Sequence, residues 1–129
     1  MRIMMYYDSV DHAREIIPVV KKHAQSFHAM IDIVAFIHAT GKPQLSEIKK
    51  KEDDLQYIKD VLEKDHIPCV THILISNHDE GVDVGKFIRE NDIDEIILGT
   101  DKRTALEEPT PGSVEDQVIS NAHCPVIII

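Results

Sequence analysis

At 129 residues the chain has the commonest domain size, enough to bury roughly two-thirds of its unfolded surface around one core and too little for two ordinary domains. Residues 1–129 are therefore read as a single domain. Hydrophobic residues make up 43% and charged residues 29% of the chain, a soluble globular composition with no apolar run near the roughly 20 residues that span a bilayer. The formal net charge of -9, relieved only at Lys49-Lys50-Lys51 and Lys102-Arg103, argues against a nucleic-acid partner, because a phosphate backbone would be repelled over most of the surface.

The chain opens with one basic residue, Arg2, and a short apolar run, Ile3 to Tyr7, too brief for the core of a secretory signal. A cytoplasmic location is expected. Arg2 to Tyr7 reads as a buried strand stopped by Asp8-Ser9, where a helix cap is expected. Ala13, Ile16, Ile17, Val20, Ala24 and Phe27 then recur at three- and four-residue spacing and predict a helix with one apolar face, which Pro18 should kink or shorten.

Ile31 to Ile37 is a second continuous apolar run, ended by Gly41-Lys42-Pro43. From Gln44 to about Asp65, Ile48, Leu55, Ile58 and Leu62 keep helical spacing against a charged face. There Lys49-Lys50-Lys51 precedes Glu52-Asp53-Asp54 at i to i+4, a solvated helix face rather than a binding patch. Cys69 to Ile75 is a third, β-branched strand followed by the polar Ser76-Asn77-His78-Asp79 loop, and Val84, Phe87 and Ile88 mark a short helix ending near Asn91. Ile93 to Leu98 forms a fourth strand. Gly112-Ser113 opens a last helix with Val114, Val118 and Ala122 inward, and Pro125 to Ile129 closes the chain as a fifth strand.

Five continuous apolar strands separated by helices predict a doubly wound parallel α/β sheet with helices on both faces. Such sheets bind ligands beyond the carboxyl ends of their strands, where the winding reverses. Asp8 and Gly99 both fall at strand ends. Between Gly99 and Ser113 runs a long polar loop bounded by glycines, a plausible phosphate cradle, since glycine lets backbone approach an anion and the following helix turns its positive end outward.

These features together resemble the universal stress protein family, whose nucleotide-binding members carry Gly-x2-Gly-x9-Gly-Ser/Thr after the fourth strand. The match extends over essentially the whole chain: Asp8-Ser9, Ile96-Ile97-Leu98-Gly99-Thr100, Gly112-Ser113-Val114 and Ala122-His123-Cys124-Pro125-Val126 fall in the family's order and spacing. The resemblance implies strand order 3-2-1-4-5 and an adenine nucleotide such as ATP, with Mg as its companion. It places Asp8 and Ile37 on the adenine and ribose side and Gly99, Gly112, Ser113 and Val114 toward ribose and phosphates. Tyr7, Ser9, Leu98, Lys102 and Arg103 complete the expected nucleotide site.

The departures from the pattern bear on the same loop. Lys102 replaces the second motif glycine, Ala105 stands where many members have glycine, and Pro109 and Pro111 remove two amide donors. Glu107 and Glu108 add negative charge. Lys102 reads either as a side chain filling the phosphate space or as an ammonium that replaces the lost backbone contact with a charge-assisted one.

Asp8 would look the same as a helix cap, but its place at the reversal of winding favours a ligand contact. The eight histidines show no His-x3-His spacing and no ligand-like interval to cysteine or carboxylate, so structural roles are expected and no metal site is assigned. A nucleophile elbow, a Walker lysine motif and a dinucleotide fingerprint are all missing, and no catalytic residue is assigned. At most, slow ATP hydrolysis would need Asp8 or Asp101 to hold a metal. In the family's strand order Cys69 and Cys124 begin strands at opposite sheet edges, too far apart to bridge. The same order leaves the apolar fifth strand, Val126, Ile127, Ile128 and Ile129, at an edge, and family members resembling this chain pair fifth strands as homodimers. The competing expectation is a regulatory dimer whose degenerate loop binds no nucleotide.

Overall fold

The computed structural model describes residues 1–100 and 111–129. Strands and helices alternate along the chain: β1 (Arg2–Tyr6), α1 (Val10–Phe27), β2 (Met30–His38), α2 (Leu45–Lys64), β3 (Cys69–Ser76), α3 (Glu80–Glu90), β4 (Glu95–Leu98), α4 (Val114–Asn121) and β5 (Val126–Ile128). The sheet order is β3-β2-β1-β4-β5, and every ladder is parallel. This is the order and class that the sequence and its resemblance led us to expect.

A strand in such a sheet buries both faces, and the pleat sorts its residues by parity. On one face Ile3, Met5 and Tyr7 of the first strand and its exit pack with Ile31, Ile33 and Ala35, under Ile16 and Val20 of α1 and Leu55, Ile58 and Leu62 of α2. On the other, Met4, Tyr6, Val34, Ile96 and Leu98 meet Val84, Phe87 and Ile88 of α3 and Val118 of α4. The helices thus cover both faces in pairs.

Several boundaries differ from the sequence reading. Pro18 does not end α1, which runs nine residues beyond it to Phe27. Phe27 itself leaves the apolar face and is 52% exposed, because the helix closes immediately after it with His28 in the left-handed region at φ 51°. Helix α3 begins at Glu80, four residues before Val84, since extended Asp79 at its N-cap offers its carbonyl to the amides of Val82 and Asp83. Strand β4 starts only at Glu95. The charged run on α2 resolves into Lys49–Asp53 and Lys50–Asp54 pairs at 2.8 and 3.5 Å, as the i to i+4 spacing predicts. Cys69 and Cys124 are free thiols; Cys69 opens β3 at one edge, whereas Cys124 lies two residues before β5 at the other and does not itself begin the strand.

Candidate functional site

Because every crossover in a parallel sheet is a helix, the C-terminal strand ends and the N-termini of the following helices face the same way. Strands β1 and β4 adjoin at the reversal of winding, and beyond their ends lies a small cavity of about 130 Å³ lined by Tyr6, Asp8, His12, Glu80, Leu98, Gly99, Thr100, Val114 and Glu115. Five elements contribute to it: the exits of β1 and β4 and the first turns of α1, α3 and α4.

Asp8 is not the helix cap. Ser9 takes that role, its Oγ accepting the His12 amide at 3.2 Å, which frees the Asp8 carboxylate to meet His12 Nδ1 at 2.7 and 2.9 Å. Asp8 stays 35% exposed at the cavity mouth. His12 is pinned on its other side by the chain at Gly99, where an added Cβ would stand 2.6 Å from His12 Cβ. Gly99 is therefore required by close approach of α1 and not by its own backbone angles.

Gly112 does need its conformational freedom, with φ at 79°, and its amide donates to the Asp116 carboxylate at 2.9 Å. Ser113 caps α4, its Oγ accepting the Asp116 amide at 3.2 Å, so Asp116 ties the corner twice, through its amide to Ser113 and through its carboxylate to the Gly112 amide just before the cap, a variant of the capping box. Val114 and Glu115, the next two residues, reach the cavity. The corner packs tightly on α3: a Cβ on Gly81 would lie 2.8 Å from the Gly112 carbonyl and 2.8 Å from Gln117 Cγ.

Three carboxylates face the cavity. Asp8 is held by His12, Glu80 accepts from the Tyr6 hydroxyl, and Glu115 accepts from the Thr100 hydroxyl. Burial first and the Glu80 charge second push the Tyr6 phenol far above its ordinary range, so it acts only as a donor.

Some sequence-assigned residues lie elsewhere. Tyr7 has the opposite parity from Tyr6 and turns into a cleft of about 360 Å³ between α1 and α2, among Val10, Arg14, Tyr57 and Val61. There its hydroxyl donates to Asp54 at 3.2 Å, and burial, reinforced by the Asp54 charge, lifts it to about 12. Ile37 is buried on β2 opposite Ile75 of β3, away from the cavity lining. Lys102, Arg103, Ala105, Glu107, Glu108 and Pro109 lie outside the described residues, whereas Pro111 is described and exposed.

Four of the histidines take structural places beside carboxylates, one of them, His12, at i+4 from Asp8. His12, His23, His72 and His78 stand against Asp8, Glu95, Asp32 and Asp83 at 2.7, 2.6, 2.9 and 3.1 Å. Asp32 and Asp83 also accept from Arg2 and from the Ser76 hydroxyl, and among the described residues no group of three or more His, Cys, Asp or Glu is arranged to hold a metal ion. The residues that sequence reasoning missed are Tyr6, His12, Glu80, Thr100 and Glu115. Strand parity signals the first and i+4 spacing from Asp8 the second; the remainder need the α3 and α4 placements.

The last strand, β5, lies at an edge. Val126, Ile127 and Ile129 lean partly buried on the two cores, and Ile128 is 36% exposed. Among the described residues no helix is long and apolar enough to cross a membrane.

The model of the universal stress protein family matches residues 1–129. Universal stress protein MJ0531 of Methanocaldococcus jannaschii is 31% identical over 131 aligned positions, covering 94% of this chain and 74% of that protein. A universal stress protein structure from Archaeoglobus fulgidus aligns over 100% of this chain and 98% of its own at a TM-score of 0.80 and 24% identity. The structure of the Archaeoglobus fulgidus protein in complex with dAMP covers 100% and 97% at a TM-score of 0.79 and 22% identity. At those identities the two structures bear on the fold, while the family model spans the chain from end to end: this chain belongs to the universal stress protein family.

Proposed function

We propose that the chain is a regulatory binding module that takes an adenine nucleotide, ATP or a shorter one, beyond the ends of β1 and β4, and serves a cytoplasmic stress response as a homodimer paired through β5. The observation that carries the reading is convergence: Asp8, Leu98, Gly99 and Val114, far apart in sequence, share one cavity at the reversal of winding, with capped Gly112-Ser113 behind it. The dAMP complex of the Archaeoglobus fulgidus protein supports the ligand class.

In this reading the Asp8 carboxylate accepts from the adenine amino group or a ribose hydroxyl, and Gly99 lets the ligand lie against backbone. The Val114 end of α4 presents the positive end of a helix. A triphosphate extends past the described cavity, whose 130 Å³ falls below the roughly 300 Å³ of ordinary ligand pockets. Lys102 and Arg103 are the chain's own candidates to meet the phosphates, and a divalent cation held with them would offset repulsion from Glu80 and Glu115.

A second reading, a dimer that binds no nucleotide, draws on the same three carboxylates. Thermal unfolding with and without adenosine, AMP and ATP separates the two. A ligand at 100 times its dissociation constant adds about 2.7 kcal/mol, which for a domain of this size raises Tm by roughly 10 °C. The expected result is such a rise for at least one of the three, lost in Asp8→Ala. No shift at millimolar concentration of any of them would favour the second reading.

A further inference from the structure

We propose that strand β3, at the edge opposite β5, is an interaction surface for a second copy of this chain, pairing antiparallel with its own counterpart about a two-fold axis. The edges are unequal. Strand β5 has three residues and β3 has eight, Cys69 to Ser76, and the long one lacks the usual devices that keep an edge from pairing. It contains no proline and no Lys, Arg, Asp or Glu, whereas soluble proteins normally shorten, charge or cover such a strand. Val70 and Ile75 are 42% and 41% exposed.

The hydrogen-bond parity of the strand specifies its partner. Ile31 on β2 pairs with Cys69 and donates to the Pro68 carbonyl, and Ala39 donates to the Ser76 carbonyl. In a parallel ladder this turns the even-numbered residues toward β2 and leaves the amides and carbonyls of Cys69, Thr71, Ile73 and Ile75 pointing outward. A two-fold axis normal to the sheet pairs only residues of equal parity, outward with outward, and keeps each face on its own side.

The register that sets Cys69 opposite the partner's Ile75 and Thr71 opposite the partner's Ile73 answers all four outward residues in both copies. It also lays exposed Val70 beside the partner's Leu74, which borders a cleft between β3 and α3 that Phe87 helps to line. Charge points to the same occupant. In a chain of net charge -9, this edge offers no lysine, arginine or carboxylate of its own, and its histidine, His72, falls on the axis opposite the partner's His72 with Asp32 of its own chain 2.9 Å away, so two like copies meet without opposing carboxylates along the strand.

The native Cys69 provides the test. Across a hydrogen-bonded antiparallel pair the Cα atoms lie about 5.5 Å apart, within the roughly 4.4–6.8 Å that a disulfide spans. Burial, with the Glu63 charge adding to it, pushes the Cys69 thiol up to about 11, so oxidation is run at mildly alkaline pH with a copper-phenanthroline catalyst. In a Cys124→Ser background, Ile75→Cys should convert most of the chain to a covalent dimer, while exposed Thr71→Cys, off register with Cys69, should give at least tenfold less. Because pairing at both edges would join β5 dimers into assemblies larger than a dimer, sedimentation is run in an Ile127→Asp background, which is designed to disrupt β5 pairing and isolate that at β3. There Thr71→Pro, which deletes only an outward amide, and Thr71→Lys should both lower the mass from dimer to monomer while keeping the circular dichroism of the parent. Absence of the Ile75→Cys dimer, equal crosslinking by Thr71→Cys, or a mass that neither Thr71 variant moves would overturn the proposal.

Discussion

The two ends of the sheet use the same residue types to opposite effect. At the amino ends of the strands Asp32 is 1% exposed and fully engaged: Arg2 donates to both of its oxygens at 3.0 Å from β1, and His72 stands 2.9 Å away on β3. The Asp32 hydrogen bond is the main cause that raises the Arg2 guanidinium pKa still further. At the carboxyl ends Asp8 meets one imidazole and remains 35% exposed beside a cavity. A closed ionic cluster ties three strands together, whereas an open one is available to something else. The same chemistry serves stability where the strands enter and function where they leave.

Substitutions can break that contrast, and the largest effect belongs to the closed end. Asp32→Ala leaves Arg2 and His72 without their shared acceptor and should cost about 3 kcal/mol, on the low side for a broken buried ion pair because both partners can turn partly to water. Chemical denaturation measures it, and a loss below about 1 kcal/mol would show that the cluster is not a fastener. Gly99→Ala should follow with about 1–3 kcal/mol, since its Cβ meets His12 in a well-packed first turn; a neutral result would mean that α1 yields freely there. The smallest stability change is expected for Asp8→Ala, within about 0.5 kcal/mol as for an exposed surface pair, although this variant should lose any thermal response to nucleotide. A large destabilisation by Asp8→Ala would erase the distinction between the two ends.

Much of this architecture was legible because apolar runs and helical spacing are local properties. Ile31 to Ile37 and Leu55, Ile58, Leu62 report their burial without reference to distant residues. Strand order was not local and came only with the family resemblance. The site was half legible: Asp8, Gly99 and Val114 sit at strand and helix ends that punctuation residues mark. Which of Tyr6 and Tyr7 faces the cavity depends on which helices cover which face, so the sequence reading assigned Tyr7 where the structure places Tyr6. Glu80 was hidden because its helix begins earlier than Val84 suggested, and Gly81 and Gly85 had no visible purpose until α4 was packed against them, where side chains would meet Gln117 and Asn121 at 2.8 Å.

The direction of the helices changes the meaning of the acidic cavity. Glu80 is the first residue of α3, Glu115 the second of α4, and Asp8 directly precedes the Ser9 cap of α1. Each carboxylate therefore stands at the positive end of a different helix, which carries the equivalent of roughly half an elementary charge. A formal count of three negative charges overstates the field that an incoming anion meets, because the backbone has already screened part of each. The parallel winding that gathers these acids into one place also gathers the dipoles that temper them.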